Sequence, residues 1–409
     1  MFKKKLGLWI LVLALFVTIG GQTAFATSDT STTAQSWDVD VSIVNSTEVI
    51  IFSMQPRTLI IHEGDTVNFT NRGVAAPHTV TFWGQTTPAA PDDSFAAPSV
   101  PNGSSWDGKS MINSGLMFPG QSYSITFTGS GVYPYLCLLH PAMVGDIIVV
   151  PKGQPIPSKA DQQAQQAAKL KELDQQVASI KKERSVTSYA KNKDGSFTYS
   201  GYAGSGTPEL MINAYSPNTY YINEGDSITW NTDAPDFQFV FFNLPKGFVP
   251  IKDNGDFDPL LETPTGGPDF DGKETISSGP IMPAMPAMAG MPAMPAMPFT
   301  LKFSKAGTYT FTDPVWGKSG KVIVAPKGAA KLVVNNVPIV TDVQVKQGQT
   351  LVPSTVVAKL TKQKLVVGKD IVKYTINKKT YVSIQEVVAK VGGTYNYDAA
   401  IKLVTVTAK

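Results

Sequence analysis

The chain has 409 residues, with 35 basic and 32 acidic side chains, three histidines and one cysteine. That length holds two to four domains of ordinary size, and a net charge of +3 gives no reason to expect nucleic acid as a partner. A single cysteine excludes a framework of disulfides within the chain.

Residues 1–26 carry three lysines, then an apolar run too short and wrongly flanked for a membrane span, then Ala24, Phe25 and Ala26. This pattern predicts a secretory signal peptide cut before Thr27. No cysteine follows that cut to take a lipid, and no later apolar run reaches membrane length. The expected product is an exported protein without a transmembrane anchor, extracellular or held to the cell wall. In that compartment an unpaired thiol suggests a metal ligand, a reactive group or a bridge to another chain.

Residues 37–153 read as short strands of alternating or β-branched character, "VDVSIVN", "TLIIHEGDTVNFTN", "HTVTFWG", "SYSITFTGSGVYPYLC" and "GDIIVVP". The series predicts an antiparallel sandwich interrupted by a polar loop from Gly84 to about Gly108. Residues 154–195 change period: Ser158 is a candidate N-cap, and Leu170, Leu173, Val177 and Ile180 form one thin stripe. A helical spacer lying on a neighbouring domain is expected. Residues 196–328 then repeat the first pattern, since "YYINEGDSITWN" echoes "LIIHEGDTVNFTN" and a second "PKG" closes the block. The repetition predicts a duplicated sandwich. Residues 329–409 form a third, small α+β unit, so the fold class is mainly β.

The cysteine lies in "YPYLCLLHPAMVGDIIVV". A sulfur, two imidazoles and a weak thioether suit both Cu(I) and Cu(II), which lowers the cost of moving between them. Cys137, His140 and Met143 fit one loop between strands, and "APHTVTFW" supplies His78. The remaining histidine, His62, is replaced by Asn223 in the repeat and reads as a surface or structural residue.

These two motifs, in this order, resemble the cupredoxin family, particularly plastocyanin and amicyanin-like blue copper proteins. The resemblance covers residues 40–153. It implies an eight-stranded Greek-key sandwich binding one type 1 copper, with His78, Cys137 and His140 as equatorial ligands and Met143 as the axial one. Many relatives have Asn after the first histidine where this chain has Thr79, whose hydroxyl could still bridge the two loops. The second sandwich has neither Cys nor His, Asp313 aligns with Cys137, and Asp236 falls near the His78 position. It reads as a degenerate cupredoxin-like copy.

Multicopper oxidases and copper nitrite reductases need additional histidine-built sites, for which only His62 is left, so the chain is not expected to be an enzyme. Single-electron transfer is the expected role. The His140 edge, with Leu139, Pro141, Ala142, Met143, Met117 and Pro119, would offer an apolar docking patch to a redox partner protein such as a c-type cytochrome. The alternative is copper binding and handling outside the cytoplasm, drawing on "IMPAMPAMAGMPAMPAMPF" in the second sandwich. There Met282, Met285, Met288, Met291, Met294 and Met297 recur every third residue, and thioethers select Cu(I) or Ag(I). Proline between them suggests polyproline II with all six on one face, about 9 Å apart per turn. Bending at Ala289 and Gly290 would bring the halves together.

From Ala329 onward, twelve lysines face four acidic residues, a local charge of +8 that suggests an anionic cell-wall polymer as partner. Tyr381 and Val382, Glu386 to Val388 and "GGTYNYD" resemble the stalk-like domain named after the copper amine oxidase N-terminus, common in exported Gram-positive proteins. Ser383 stands where that domain usually has proline. The segment has no His, Cys or Met, and attachment or spacing is its expected role.

Overall fold

The computed structural model describes residues 28–408 apart from 47, 89–92, 141, 253–256, 288–291, 340 and 362–364. The expected signal segment therefore lies outside the described residues, as do Pro141, Met288 and Met291. No helix among the described residues is long and apolar enough to cross a membrane.

Period-two alternation builds the first sandwich. In Ser122–Phe127, Tyr123, Ile125 and Phe127 point inward and the residues between them do not. One sheet of five strands runs in the order Thr58–His62, Val144–Val150, Gly131–Leu136, Thr81–Phe82, Ile112–Asn113. Its partner contains Val49–Gln55, Ser36–Ser46, Thr66–Arg72, Ser122–Phe127 and Ser104–Trp106 in that order. The described strands of this sandwich thus exceed the eight expected. Phe69, Phe82 and Tyr135 fill the core between the sheets, with ring centroids 4.9 to 6.0 Å apart.

The second sandwich repeats the plan, with a sheet in the order Thr219–Asn223, Lys318–Ala325, Gly307–Asp313, Phe241–Phe242, Ile276–Ser277. The repeated Glu-Gly-Asp has the same task in both copies. Gly64 and Gly225 take φ of +87° and +91°, a region open to glycine without steric cost. The turn aims Asp65 at the amides of Gln35 and His62, 2.7 and 3.0 Å away, and at the Trp37 indole N–H, 2.8 Å away. Asp226 accepts from the amides of Phe197 and Asn223, each at 2.8 Å. His62 is buried, with its Nε2 2.7 Å from the Gln154 carbonyl, which makes it structural.

The two copies share one sheet. Val49–Gln55 pairs antiparallel with Leu210–Ser216, with Ile51 opposite Leu210, Ile50 opposite Met211 and Val49 opposite Ile212. These are corresponding strands of the duplicated block, so exchanging the copies maps the register onto itself about a point between Ile50 and Met211. An isologous, dimer-like contact has thereby been built within one chain. The spacer helix, Lys159–Arg184, lies over this seam. Ser158 caps it, its Oγ accepting from the Asp161 amide at 3.2 Å. The thin stripe of Leu170, Leu173, Val177 and Ile180 packs on Val49, Ile51 and Leu210.

Residues 331–407 form two four-stranded sheets around the helix Ile384–Val391. Ser383 N-caps that helix, a bond that proline, lacking the hydroxyl, could not make. This unit docks on the second sandwich, with Ile401 buried among that sandwich's core residues and the Tyr189 hydroxyl donating to Asp398 at 2.6 Å.

Candidate metal centre

Two loops at one end of the first sandwich meet at Cys137. The first begins where His78 pairs with Met117, its amide donating to the Met117 carbonyl at 3.0 Å and its carbonyl accepting in return at 2.8 Å. The second is closed by two short-range bonds, from the Cys137 amide to the Met143 carbonyl at 3.0 Å and from the Met143 amide to the His140 carbonyl at 2.8 Å. Thr79 ties the loops together. Its amide donates to Cys137 Sγ at 3.3 Å, and its hydroxyl accepts from the Leu138 amide at 2.8 Å. The bridge expected of a residue in this position is therefore made by threonine.

His78, Cys137 and His140 are all buried, and their nearest ligand atoms lie within 4.8 Å of one another. His78 Nδ1 and His140 Nδ1 are 3.1 Å apart, and 3.8 and 3.6 Å respectively from Cys137 Sγ. Burial pushes the Cys137 thiol up, but His140 and then His78 more than offset it and hold the group well below the usual thiol range. The donor set fits copper: a thiolate-prone sulfur and two imidazole nitrogens converge on one dry point. Met143 is also buried, in the loop that holds two of these groups.

The far side of His140 departs from expectation. Its Nε2 lies 3.3 Å from the Asp236 carboxylate of the second sandwich, with His140 buried and Asp236 half-buried. Burial alone would lower the His140 pKa, but Asp236 and then Cys137 raise it to about 10. Phe52 stands edge-on to both imidazoles, with centroids 5.6 Å from His78 and 5.1 Å from His140. Trp316, from the second sandwich, packs behind Phe52 at 6.3 Å and belongs to the core of the first. Among the described residues of the expected docking patch, His140, Met117 and Met143 are thus buried, while Leu139, Ala142 and Pro119 are exposed beside Phe118.

The second sandwich places other groups at the corresponding positions. Gln238, rather than Asp236, takes the place of His78, since it pairs with Ile281 as His78 pairs with Met117. Asp313 stands for Cys137, its carboxylate accepting from the Phe239 amide at 3.0 Å as Cys137 accepts from Thr79. Trp316 follows Asp313 by three residues, as His140 follows Cys137. Lys318 lies opposite Asp313 with its ammonium buried against the Asp313 carboxylate, the Asn213 amide oxygen and the Gln238 amide oxygen. A fixed cation occupies the pocket. Sequence reasoning anticipated Asp313 and missed the Lys318 ammonium, which a basic residue just after it could have signalled.

The described arms of the methionine repeat lie side by side, as the expected approach of its halves requires, and do not form the single polyproline face. Met282 and Met297 exchange amide–carbonyl bonds at 3.2 and 2.9 Å, and Met285 and Met294 do so at 2.8 and 2.9 Å. Proline has no N–H to contribute, so a Met-Pro-Ala repeat can pair across through the methionine amides. In each cross-strand pair one methionine is half-buried and the other exposed.

Residues 40–150 match the copper binding proteins of the plastocyanin/azurin family. A stretch of 96 residues is 36% identical to chloroplastic plastocyanin of Chlamydomonas reinhardtii, which is 23% of this chain and 56% of that protein. The chain thus spans about half the length of this curated relative. Among solved structures, a reduced amicyanin variant is 29% identical over 28% of this chain and 80% of its own, with a TM-score of 0.19. A Cu(I) amicyanin variant is 27% identical over 31% of this chain and 87% of its own, with a TM-score of 0.20. The family match spans both loops that carry His78, Cys137 and His140, and residues 40–150 form a cupredoxin domain of the plastocyanin/azurin type.

Proposed function

We propose that this protein is an exported type 1 copper protein that carries single electrons at the cell surface and performs no catalysis of its own. The observation that carries this reading is the convergence of His78 Nδ1, His140 Nδ1 and Cys137 Sγ inside two loops locked by Thr79. His78, Cys137 and His140 would hold the ion equatorially and Met143 axially. Bound there, copper supplies a one-electron couple. The chain's part is to keep the donors fixed in both oxidation states, through the loop bonds above, and to exclude water with Phe52, Met117 and Met143. The partner is a redox protein, such as a c-type cytochrome, that docks beside the exposed Leu139 and Phe118. Copper-loaded protein should show an intense visible thiolate-to-copper band that Cys137→Ser abolishes. A colourless wild type holding one Cu(II) would end the reading.

Retention on an anionic wall polymer rests on the +8 C-terminal unit. Full-length protein bound to such a polymer should elute with salt, because screening shortens the reach of exposed charges. Salt-independent retention would assign that unit to spacing alone.

The methionine hairpin favours a second reading, in which the protein also handles Cu(I). Residues that exchange both backbone bonds across an antiparallel pair have Cα atoms about 5.5 Å apart, close enough for two thioethers to share one soft ion. Met282 with Met297, and Met285 with Met294, are such pairs. Titrating Ag(I) into the full-length Cys137→Ser protein, with and without these four methionines changed to leucine, tests it. Equal uptake by both would remove the hairpin from copper handling.

A further inference from the structure

We infer that the second sandwich serves as the outer wall of the first sandwich's copper centre, and that Asp236 is a positioning residue that holds His140 by its far nitrogen and sets the balance between Cu(II) and Cu(I). The inference rests on the copper reading above and deepens it.

His140 turns Nδ1 toward Cys137 and Nε2 toward Asp236. A ligating imidazole with Nδ1 on a metal carries its proton on Nε2, so that N–H is the group facing the carboxylate. A carboxylate accepting this proton fixes the tautomer and ring angle and raises the basicity of the ligating nitrogen. Greater donor strength and a nearby negative charge both favour the doubly charged ion over the singly charged one.

The contact is built into the fold. The self-complementary pairing of Val49–Gln55 with Leu210–Ser216 brings the end of the first copy that carries His140 against the corresponding end of the second, which carries Asp236. Gln238 anchors the Asp236 loop, donating from its side chain to the Asp236 carbonyl at 3.0 Å, while its own backbone pairs with Ile281. Asp236 also accepts from the Phe237 amide at 2.7 Å. The first copy has Ala76 two residues before His78, at the place of Asp236 relative to Gln238. The carboxylate is thus present only in the copy whose own ligand set is gone. Loss of the metal set from the second copy freed its loops to complete the first.

The test uses the full chain with Asp236→Asn and Asp236→Ala. Asn keeps an oxygen acceptor without charge; Ala removes both. Partners of this kind typically change metal affinity about 10–100-fold. We expect Ala to lower Cu(II) affinity about tenfold relative to Cu(I), raising the reduction potential by about 59 mV for one electron. Asn should shift it in the same direction by less. In metal-free protein, the Nε2 proton of His140 should exchange slowly in the wild type, by nitrogen-resolved NMR, and fast in Asp236→Ala. Hydrogen exchange of the strands Val49–Gln55 and Leu210–Ser216 should stay as in the wild type, which separates a tuning role from a merely structural one. If either variant gives a normal visible band at an unchanged potential, the assignment to Asp236 is overturned while the copper reading stands. A wild type without the band would instead overturn the copper reading itself.

Discussion

Phe52 and Asn213 hold the same place in the two copies. Each donates its amide across the seam, Phe52 to Glu209 at 2.9 Å and Asn213 to Glu48 at 2.7 Å. Their side chains then diverge. Phe52 presses its ring against two imidazoles, whereas Asn213 turns its amide oxygen to the Lys318 ammonium 3.2 Å away. One apolar and one polar residue at a single symmetric position separate a dry candidate metal centre from a buried ammonium held by protein oxygens.

Phe52→Ala should therefore cost about 3–5 kcal/mol, read as a lower urea midpoint of the metal-free protein, because its fully buried ring packs on His78, His140 and Trp316. Phe52→Leu should recover most of that loss, since it refills much of the space. Equal midpoints for Ala and wild type would mean that the ring is not a packing element of the site.

Thr79→Val keeps the shape of the side chain but removes the acceptor for the buried Leu138 amide. An unsatisfied buried donor costs about 1–3 kcal/mol. Thr79→Asn should cost less, since its amide oxygen can take the same bond. Thermal unfolding of the three metal-free proteins ranks them, and an unchanged Val variant would show that the hydroxyl bridge contributes nothing.

Much of this was legible in the sequence and some was not, for physical reasons. Short-range patterns spoke clearly: the Cys-x-x-His-x-x-Met loop, the alternation in Ser122–Phe127, the Ser158 cap and the repeated Glu-Gly-Asp each encode a local geometry. What stayed hidden depends on how distant surfaces meet. Nothing around Asp236 signals that its partner is His140, 96 positions earlier in the chain, because that contact follows from the pairing of Ile50 with Met211. For the methionine repeat, the expected approach of the two halves agrees with the pairing of Met282 with Met297 and Met285 with Met294, whereas the single polyproline face does not, because polyproline II is what proline favours in isolation and the cross-pairing requires the two arms to be held side by side.

Lys331 sets a pH dependence. Its ammonium is buried, donating to the Ile401 carbonyl at 2.5 Å and to the Asn223 side chain. Burial pulls its pKa down from 10.5 to about 8, with Asp226 opposing. The folded-state value lies below the unfolded one, so between these two values the unfolded chain binds more protons. Stability therefore rises with pH across that window, and the penalty for burying the charge is fully present below it. Between about pH 8 and pH 10 the wild type should gain on the order of 2 kcal/mol over Lys331→Met in chemical denaturation. A difference between the two proteins that does not vary with pH would contradict this.

The second sandwich should be convertible to a metal centre. Gln238, Asp313, Trp316 and Lys318 occupy the positions of His78, Cys137, His140 and Met143, and the Phe239 amide already points at the Asp313 carboxylate as the Thr79 amide points at Cys137. Lys318 and Asp313 must change together, because removing one member of a buried ion pair strands the other at a cost of about 3–5 kcal/mol. The combined variant Gln238→His, Asp313→Cys, Trp316→His and Lys318→Met should raise copper uptake from one ion per chain to two. In a Cys137→Ser background it should give a visible thiolate-to-copper band of its own. The loop is one residue shorter, since Lys318 follows Trp316 by two positions where Met143 follows His140 by three. The new site should therefore keep its three equatorial donors and differ from the native one in its axial contact, with a displaced band and a different potential. Retention of the native band in the Cys137-containing version reports that the four changes leave the first sandwich folded. A variant that keeps that band yet takes up no second copper would show that the loops of the second copy no longer match a metal centre.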